Sequence, residues 1–195
     1  MEITTELIKQ LRDKTGISVM QCKKALEEAG GDMEKAIMIL KKKSADIAGQ
    51  KGKRALGAGV VSSYIHATGT VGAMVELLCE TDFVARSEEF KTLARDIAMH
   101  ATATNPEFLK MEDIDEHSKS LAKEMFAKEV AGKPEEMKEK ILEGKLESYW
   151  SDRILLNQAF IKNPEVTITN LIQAAIQKFG ENIEIGRFVR YSIAQ

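Results

Sequence analysis

The sequence predicts an α+β protein: an N-terminal three-helix bundle, then a core domain with a three-stranded antiparallel sheet packed by helices. Three observations point there. The first 43 residues carry three short helix-period segments separated by glycines. Residues 59–79 alternate as two strands around a turn, and residues 183–190 alternate again after a run of helical segments. A chain of 195 residues, 44% hydrophobic and 30% charged with 3 Pro, has the composition of a folded protein with one domain or two small ones.

In the first helix Leu7, Ile8 and Leu11 share a face, Thr4 or Thr5 supplies the cap, and Gly16 follows where a left-handed stop belongs. Ser18 and Gln21 form the S-x-x-Q capping pattern of a second helix, in which Cys22, Ala25, Leu26 and Ala29 recur until Gly30 and Gly31. Asp32 caps a third, with Met33, Ala36, Ile37 and Leu40 at i, i+3, i+4 and i+7 and Lys41 to Lys43 at its dipole-favoured end. Helices this short are marginal alone, so residues 1–43 are expected to pack as one bundle.

Residues 44–54 read as a basic linker. The run from Lys41 to Arg54 holds six basic residues against Asp46 alone, and the chain through Arg54 is net basic whereas the remainder is net acidic. Either the run contacts RNA or an acidic partner, or it is a solvated helix end with a flexible connection.

The core domain is then residues 55–195. Val61, Ser63 and Ile65 alternate with Val60, Ser62 and Tyr64, a turn covers Ala67 to Thr70, and Val71, Ala73, Val75, Leu77 and Cys79 share a face of the second strand. Ser87 caps a long helix with Phe90, Leu93, Ala94, Ile97, Ala98 and Ala101 on one stripe, ended by Asn105-Pro106. Further helices are expected from Glu116 to Ala131, stopped by Gly132, and from Pro134 to Asn157 with a break at Gly144. A last helix spans about Thr167 to Phe179 before Gly180, and Ile183, Ile185, Arg187 and Val189 mark the third strand.

Several function classes lose support. The formal charge of −2 supplies no global attraction to nucleic acid or anionic lipid. Ala55 to Val75 is uncharged and long enough to span a bilayer, but its four glycines and strand-like alternation argue against insertion. No targeting segment precedes the first helix, and Cys22 and Cys79 form no C-x-x-C motif, so a reducing, cytoplasmic setting is expected. His66, His100 and His117 fit no metal-ligand spacing, and no G-x-S-x-G is present. Gly57-Ala58-Gly59 leads into a strand where a dinucleotide site would need a helix. No enzyme activity, metal or cofactor is expected.

The informative segment is Glu80-Thr81-Asp82-Phe83-Val84-Ala85-Arg86, which joins the second strand to the long helix and sets a carboxylate beside an aromatic in a surface connection. An Asp there can disturb the oxygen ligands of a partner's Mg²⁺, and the Phe can wedge into an apolar crevice. The alternative is structural: Asp82 or Thr81 caps the next turn and Phe83 tucks beneath the helix.

Four motifs in order carry a resemblance over nearly the whole chain. They are Leu11-Arg12-x-x-Thr15-Gly16, Cys22-Lys23-Lys24-Ala25-Leu26, Glu80 to Arg86, and Gly180-Glu181-Asn182-Ile183 with Arg187-Phe188-Val189-Arg190. The sequence resembles the translation elongation factor Ts family, in its short form with one core. The resemblance implies a ubiquitin-associated-like bundle, a linker and a dimerisation-type core domain. It also implies guanine nucleotide exchange on the GTPase elongation factor Tu. Thr81, Asp82, Phe83 and Val84 match the segment that disturbs the GTPase's Mg²⁺ site. Arg12, Val19 and Met20 fall at N-terminal docking positions, with Val19 standing where some members carry methionine. Homodimerisation is a further expectation, since longer members duplicate the core. Two other readings stand beside exchange: an RNA- or ribosome-associated protein using the basic linker, and an adaptor for ubiquitin-like partners.

Overall fold

A computed structural model describes residues 3–51, 54–130 and 135–193. The N-terminal bundle consists of α1 (Thr5–Thr15), α2 (Val19–Glu28) and α3 (Met33–Lys51). Its ends follow the expected chemistry. The Thr4 hydroxyl accepts from the Leu7 N–H at 3.3 Å, and Gly16 turns left-handed at φ 68° to donate to the Arg12 carbonyl at 2.7 Å. Ser18 accepts from the Gln21 N–H, and Asp32 from those of Glu34 and Lys35. Ile8, Leu11, Ile17, Cys22, Ala25, Leu26, Ala36 and Leu40 form the bundle's own core.

The third helix departs from expectation: it does not end near residue 43 but runs to Lys51, so residues 44–51 are helix and not a loose linker. Residues 52 and 53 of that stretch lie outside the described residues. The reason is spacing. Ala36, Leu40, Ser44 and Ile47 continue one stripe at intervals of four, four and three, and that stripe has something to bury against. Ser44 is buried with its hydroxyl bonded to Gln177, and Ile47 packs on the core of the sheet domain.

The sheet has strand order β1 (Ala58–Ile65), β2 (Val71–Cys79), β5 (Ile183–Ser192), antiparallel throughout. Gly59 has to be glycine, because a Cβ there would stand 2.5 Å from the Leu77 carbonyl oxygen of the neighbouring strand. Ala73, Val75, Leu77, Cys79, Ile183 and Ile185 face a core shared with α5 (Glu88–Thr104) and α8 (Ile168–Phe179). The opposite face carries rows set by register, Val61 with Glu76 and Arg187, then Ser63 with Met74 and Val189. Val61, Ile65, Met74, Val189 and Tyr191 are exposed on it.

A second departure concerns the helices between. Gly144 does not break the chain: α7 (Glu135–Ser151) is continuous through it and packs on α6 (Glu116–Val130). The helix is built from Lys, Glu, Leu and Met, strong helix formers that carry one glycine at a cost of about 1 kcal/mol. The expected stop at Gly132 and start at Pro134 lie outside the described residues. Leu155–Asn157 forms a 3₁₀ turn in place of a helical extension. This arm has its own small core of Ile114, Ala122, Trp150 and Ile154, with Phe108 edge-on to Trp150. A short hairpin, β3 (Ala159–Phe160) and β4 (Asn163–Thr167), precedes α8. It was not expected, because two residues and a strand containing Pro164 give too little alternation to register. Among the described residues no helix is long and apolar enough to cross a membrane.

Candidate partner-binding surface

At the end of β2 the chain turns through Glu80 and Thr81 into α4 (Asp82–Arg86), a five-residue helix that the sequence pattern is too short to announce. Thr81 is its N-cap, with the hydroxyl accepting from the Val84 N–H at 3.5 Å. Ser87 closes it by donating to the Val84 carbonyl at 2.9 Å and opens α5 by accepting from the Phe90 N–H at 3.3 Å. These caps fix the direction in which each residue of the turn points. Val84 is buried at 5% exposure in the sheet-domain core, whereas Phe83, one position earlier, is 83% exposed. Asp82 is also exposed, and its carboxylate meets Arg86 at 2.8 Å one helical turn away. Such an exposed pair contributes little to stability.

The structural reading holds for the cap at Thr81 but not for Phe83, which does not tuck beneath the helix. A fully exposed phenylalanine forfeits about 1.5–3 kcal/mol of burial. The structure holds it on a capped turn between a strand and a 17-residue helix.

Two acidic residues outside the expected set complete the turn. The Glu181 carboxylate accepts from the N–H groups of Glu80 and Thr81 at 3.1 and 3.0 Å and from the Thr81 hydroxyl at 2.6 Å. In return the Glu80 carboxylate accepts from the Asn182 N–H at 2.6 Å, and Arg54 lies 3.3 Å from it. Glu181 stands in the Gly180-Glu181-Asn182-Ile183 motif, so its position was visible in the sequence while its target, about 100 residues away, was not.

The other expected group, Arg12, Val19 and Met20, flanks the turn between α1 and α2. Arg12 is exposed in the last turn of α1, and Val19 and Met20 are 51% and 69% exposed at the start of α2. The structure places these residues over the bundle's core and Thr81 to Val84 over the sheet domain's, so the two groups sit on separate packing units.

The titratable groups that could suggest other chemistry are structural. His100 is fully buried: its Nδ1 accepts from the Ile161 N–H at 3.3 Å, which leaves Nε2 to donate to Gln158 Oε1 at 2.9 Å. Burial holds its pKa below the ordinary histidine value, so the ring is neutral. Burial likewise pushes the thiols of Cys22 and Cys79 up, the latter aided by the negative charge of Glu181. Both are free and poorly reactive.

The fold and this surface define an α+β protein that presents an exposed carboxylate and aromatic from a capped turn at a sheet end, with a helical bundle fastened alongside. Comparison with known proteins narrows the class. The family model described as Elongation factor TS matches residues 6–195. The chain is 48% identical to Elongation factor Ts of Thermodesulfovibrio yellowstonii over 100% of its own length and 98% of the relative's. It is 46% identical to that of Fervidobacterium nodosum over 100% of both. For the protein of the same name from Carboxydothermus hydrogenoformans the figure is 46%, over 99% of this chain and 90% of the relative. The chain belongs to the elongation factor Ts family and is a translation elongation factor.

Proposed function

We propose that this protein is a guanine nucleotide exchange factor for elongation factor Tu, acting in the cytoplasm during translation elongation without covalent chemistry of its own. The observation that supports the reading best is the pair Asp82 and Phe83, both exposed on a turn that is capped by Thr81 and anchored by the buried Val84 and Ala85. In this reading Phe83 enters an apolar crevice of the GTPase and Asp82 approaches the Mg²⁺ that bridges the nucleotide phosphates. Weakening the metal loosens GDP. Linkage makes the antagonism mutual, so the factor binds the empty GTPase more tightly than the loaded one and GTP rebinding releases it. Arg12, Val19 and Met20 provide a second contact from the bundle, and α3 ties the two contacts together.

A reading through the basic run has less support, since Lys43 is paired with Glu28 at 2.5 Å and Arg54 with Glu80. The open sheet face suits a second copy of this chain, and we propose a homodimer formed there. Stopped-flow release of fluorescent GDP tests exchange. Asp82→Ala and Phe83→Ala should each slow release with thermal stability unchanged, Phe83→Ala by the equivalent of about 2 kcal/mol. Wild-type rates in both variants would refute the reading.

A further inference from the structure

We propose that Glu181 is a positioning residue for the Asp82-Phe83 surface, acting as a carboxylate extension of the sheet that fixes the turn from which those side chains project. This rests on the exchange reading above for its functional consequence, and on geometry for its structural one.

The ladder between β2 and β5 ends at the pair Cys79 and Ile183. Beyond it the N–H groups of Glu80 and Thr81 have no strand opposite, because β5 begins at Ile183 and the chain before it curls away through Gly180 at φ 76°. Glu181 fills the gap. One oxygen accepts both N–H groups and the other accepts the Thr81 hydroxyl proton, at 3.1, 3.0 and 2.6 Å. The same contact is made in the opposite sense by Glu80, whose carboxylate accepts from the Asn182 N–H at 2.6 Å. The two loops are thus joined by reciprocal bonds from side chain to backbone, each charge-assisted.

The consequence falls on Thr81. Its N–H and hydroxyl proton go to Glu181, its hydroxyl oxygen accepts from the Val84 N–H, and its carbonyl accepts from Cys79 Sγ at 3.2 Å and the Ala85 N–H at 3.2 Å. Every polar atom of the residue before Asp82 is engaged. Since α4 has only five residues, its orientation is set by this cap and by the burial of Val84 and Ala85. Without Glu181 two N–H donors lose their acceptor and the cap loses the partner that fixes its rotamer.

The test compares the full-length wild type with Glu181→Ala and Glu181→Gln at matched folded fractions. Two quantities are read: hydrogen exchange of the Glu80 and Thr81 amides in the free protein, and GDP release from elongation factor Tu as a function of factor concentration. In Glu181→Ala both amides should exchange at least about tenfold faster. The maximal release rate should fall about tenfold, while the half-saturating concentration, set largely by the bundle, changes less than about twofold. Glu181→Gln, which keeps one acceptor oxygen and can turn its amide toward the Thr81 hydroxyl, should recover most of both losses. Unchanged amide exchange in Glu181→Ala overturns the proposal outright. Faster amide exchange with an unchanged maximal rate, when Phe83→Ala does slow release, overturns the functional half. If Phe83→Ala has no effect, the exchange reading has failed instead, and the amide data still decide whether Glu181 holds the turn.

Discussion

Thr81 and Phe83 stand two positions apart in one motif, yet one turns its side chain into a hydrogen-bond network and the other into solvent. A single sequence shows the residue types but not this division, because capping and partner contact favour overlapping chemistry at the mouth of a helix. The packing of Val84 is what resolves it: once Val84 faces the core, the preceding side chain is directed outward. His100 makes the same point for buried polar groups. Bonded to Ile161 and Gln158 and kept neutral by burial, it refuses a proton that the unfolded chain accepts near pH 6.5. Its folded pKa is depressed, so its contribution is fully present above that value and is lost as pH falls from it toward the folded one. Thermal midpoints should therefore decline as pH falls below about 6.5, and His100→Gln, which cannot titrate, should flatten that decline. An unaltered slope in the variant would assign the acid sensitivity elsewhere.

Elements were legible where their signals were local. The caps at Thr4, Ser18, Asp32 and Ser87 and the left-handed stops at Gly16 and Gly180 sit where spacing places them. The errors arose where a distant surface decides. Three lysines at residues 41–43 resemble a helix end, but α3 continues because Ser44 and Ile47 find α8 and the sheet-domain core. No local pattern announces that contact. At Gly144 the local signal misleads in the opposite sense: a lone glycine reads as a break, but the helix formers around it carry α7 through. The position is exposed and a Cβ there would meet nothing within 4 Å. Gly144→Ala should accordingly raise stability by about 0.5–1 kcal/mol through a smaller unfolded-state entropy. Trp150, buried in the same arm, reports the change by fluorescence during urea unfolding. A lower midpoint would mean that the glycine serves a bend after all.

For the molecule as a whole, the open sheet face remains to be covered. Val61, Met74 and Val189 project from it around the Glu76–Arg187 pair, which is bonded at 2.6 Å. Exposed apolar residues contiguous across three strands mark an interaction surface more often than a solvated one. The face also suits its own copy. In the homodimer proposed above, a two-fold axis near Met74 would set Met74 against its own copy, the self-complementarity an isologous contact needs. Phe83 follows the far end of β2, beyond these rows. Because Cys22 and Cys79 are buried and free, association should not depend on a disulfide. Light scattering at micromolar concentration with reductant should give twice the chain mass, and Met74→Glu, which buries a charge opposite its own copy, should return it to 21.7 kDa. A single-chain mass for the wild type would sink the dimer. A dimer that persists in Met74→Glu would move the interface off this face. With the interface here and Phe83 clear of it, each copy can engage its own GTPase, so the complex should assemble two to two.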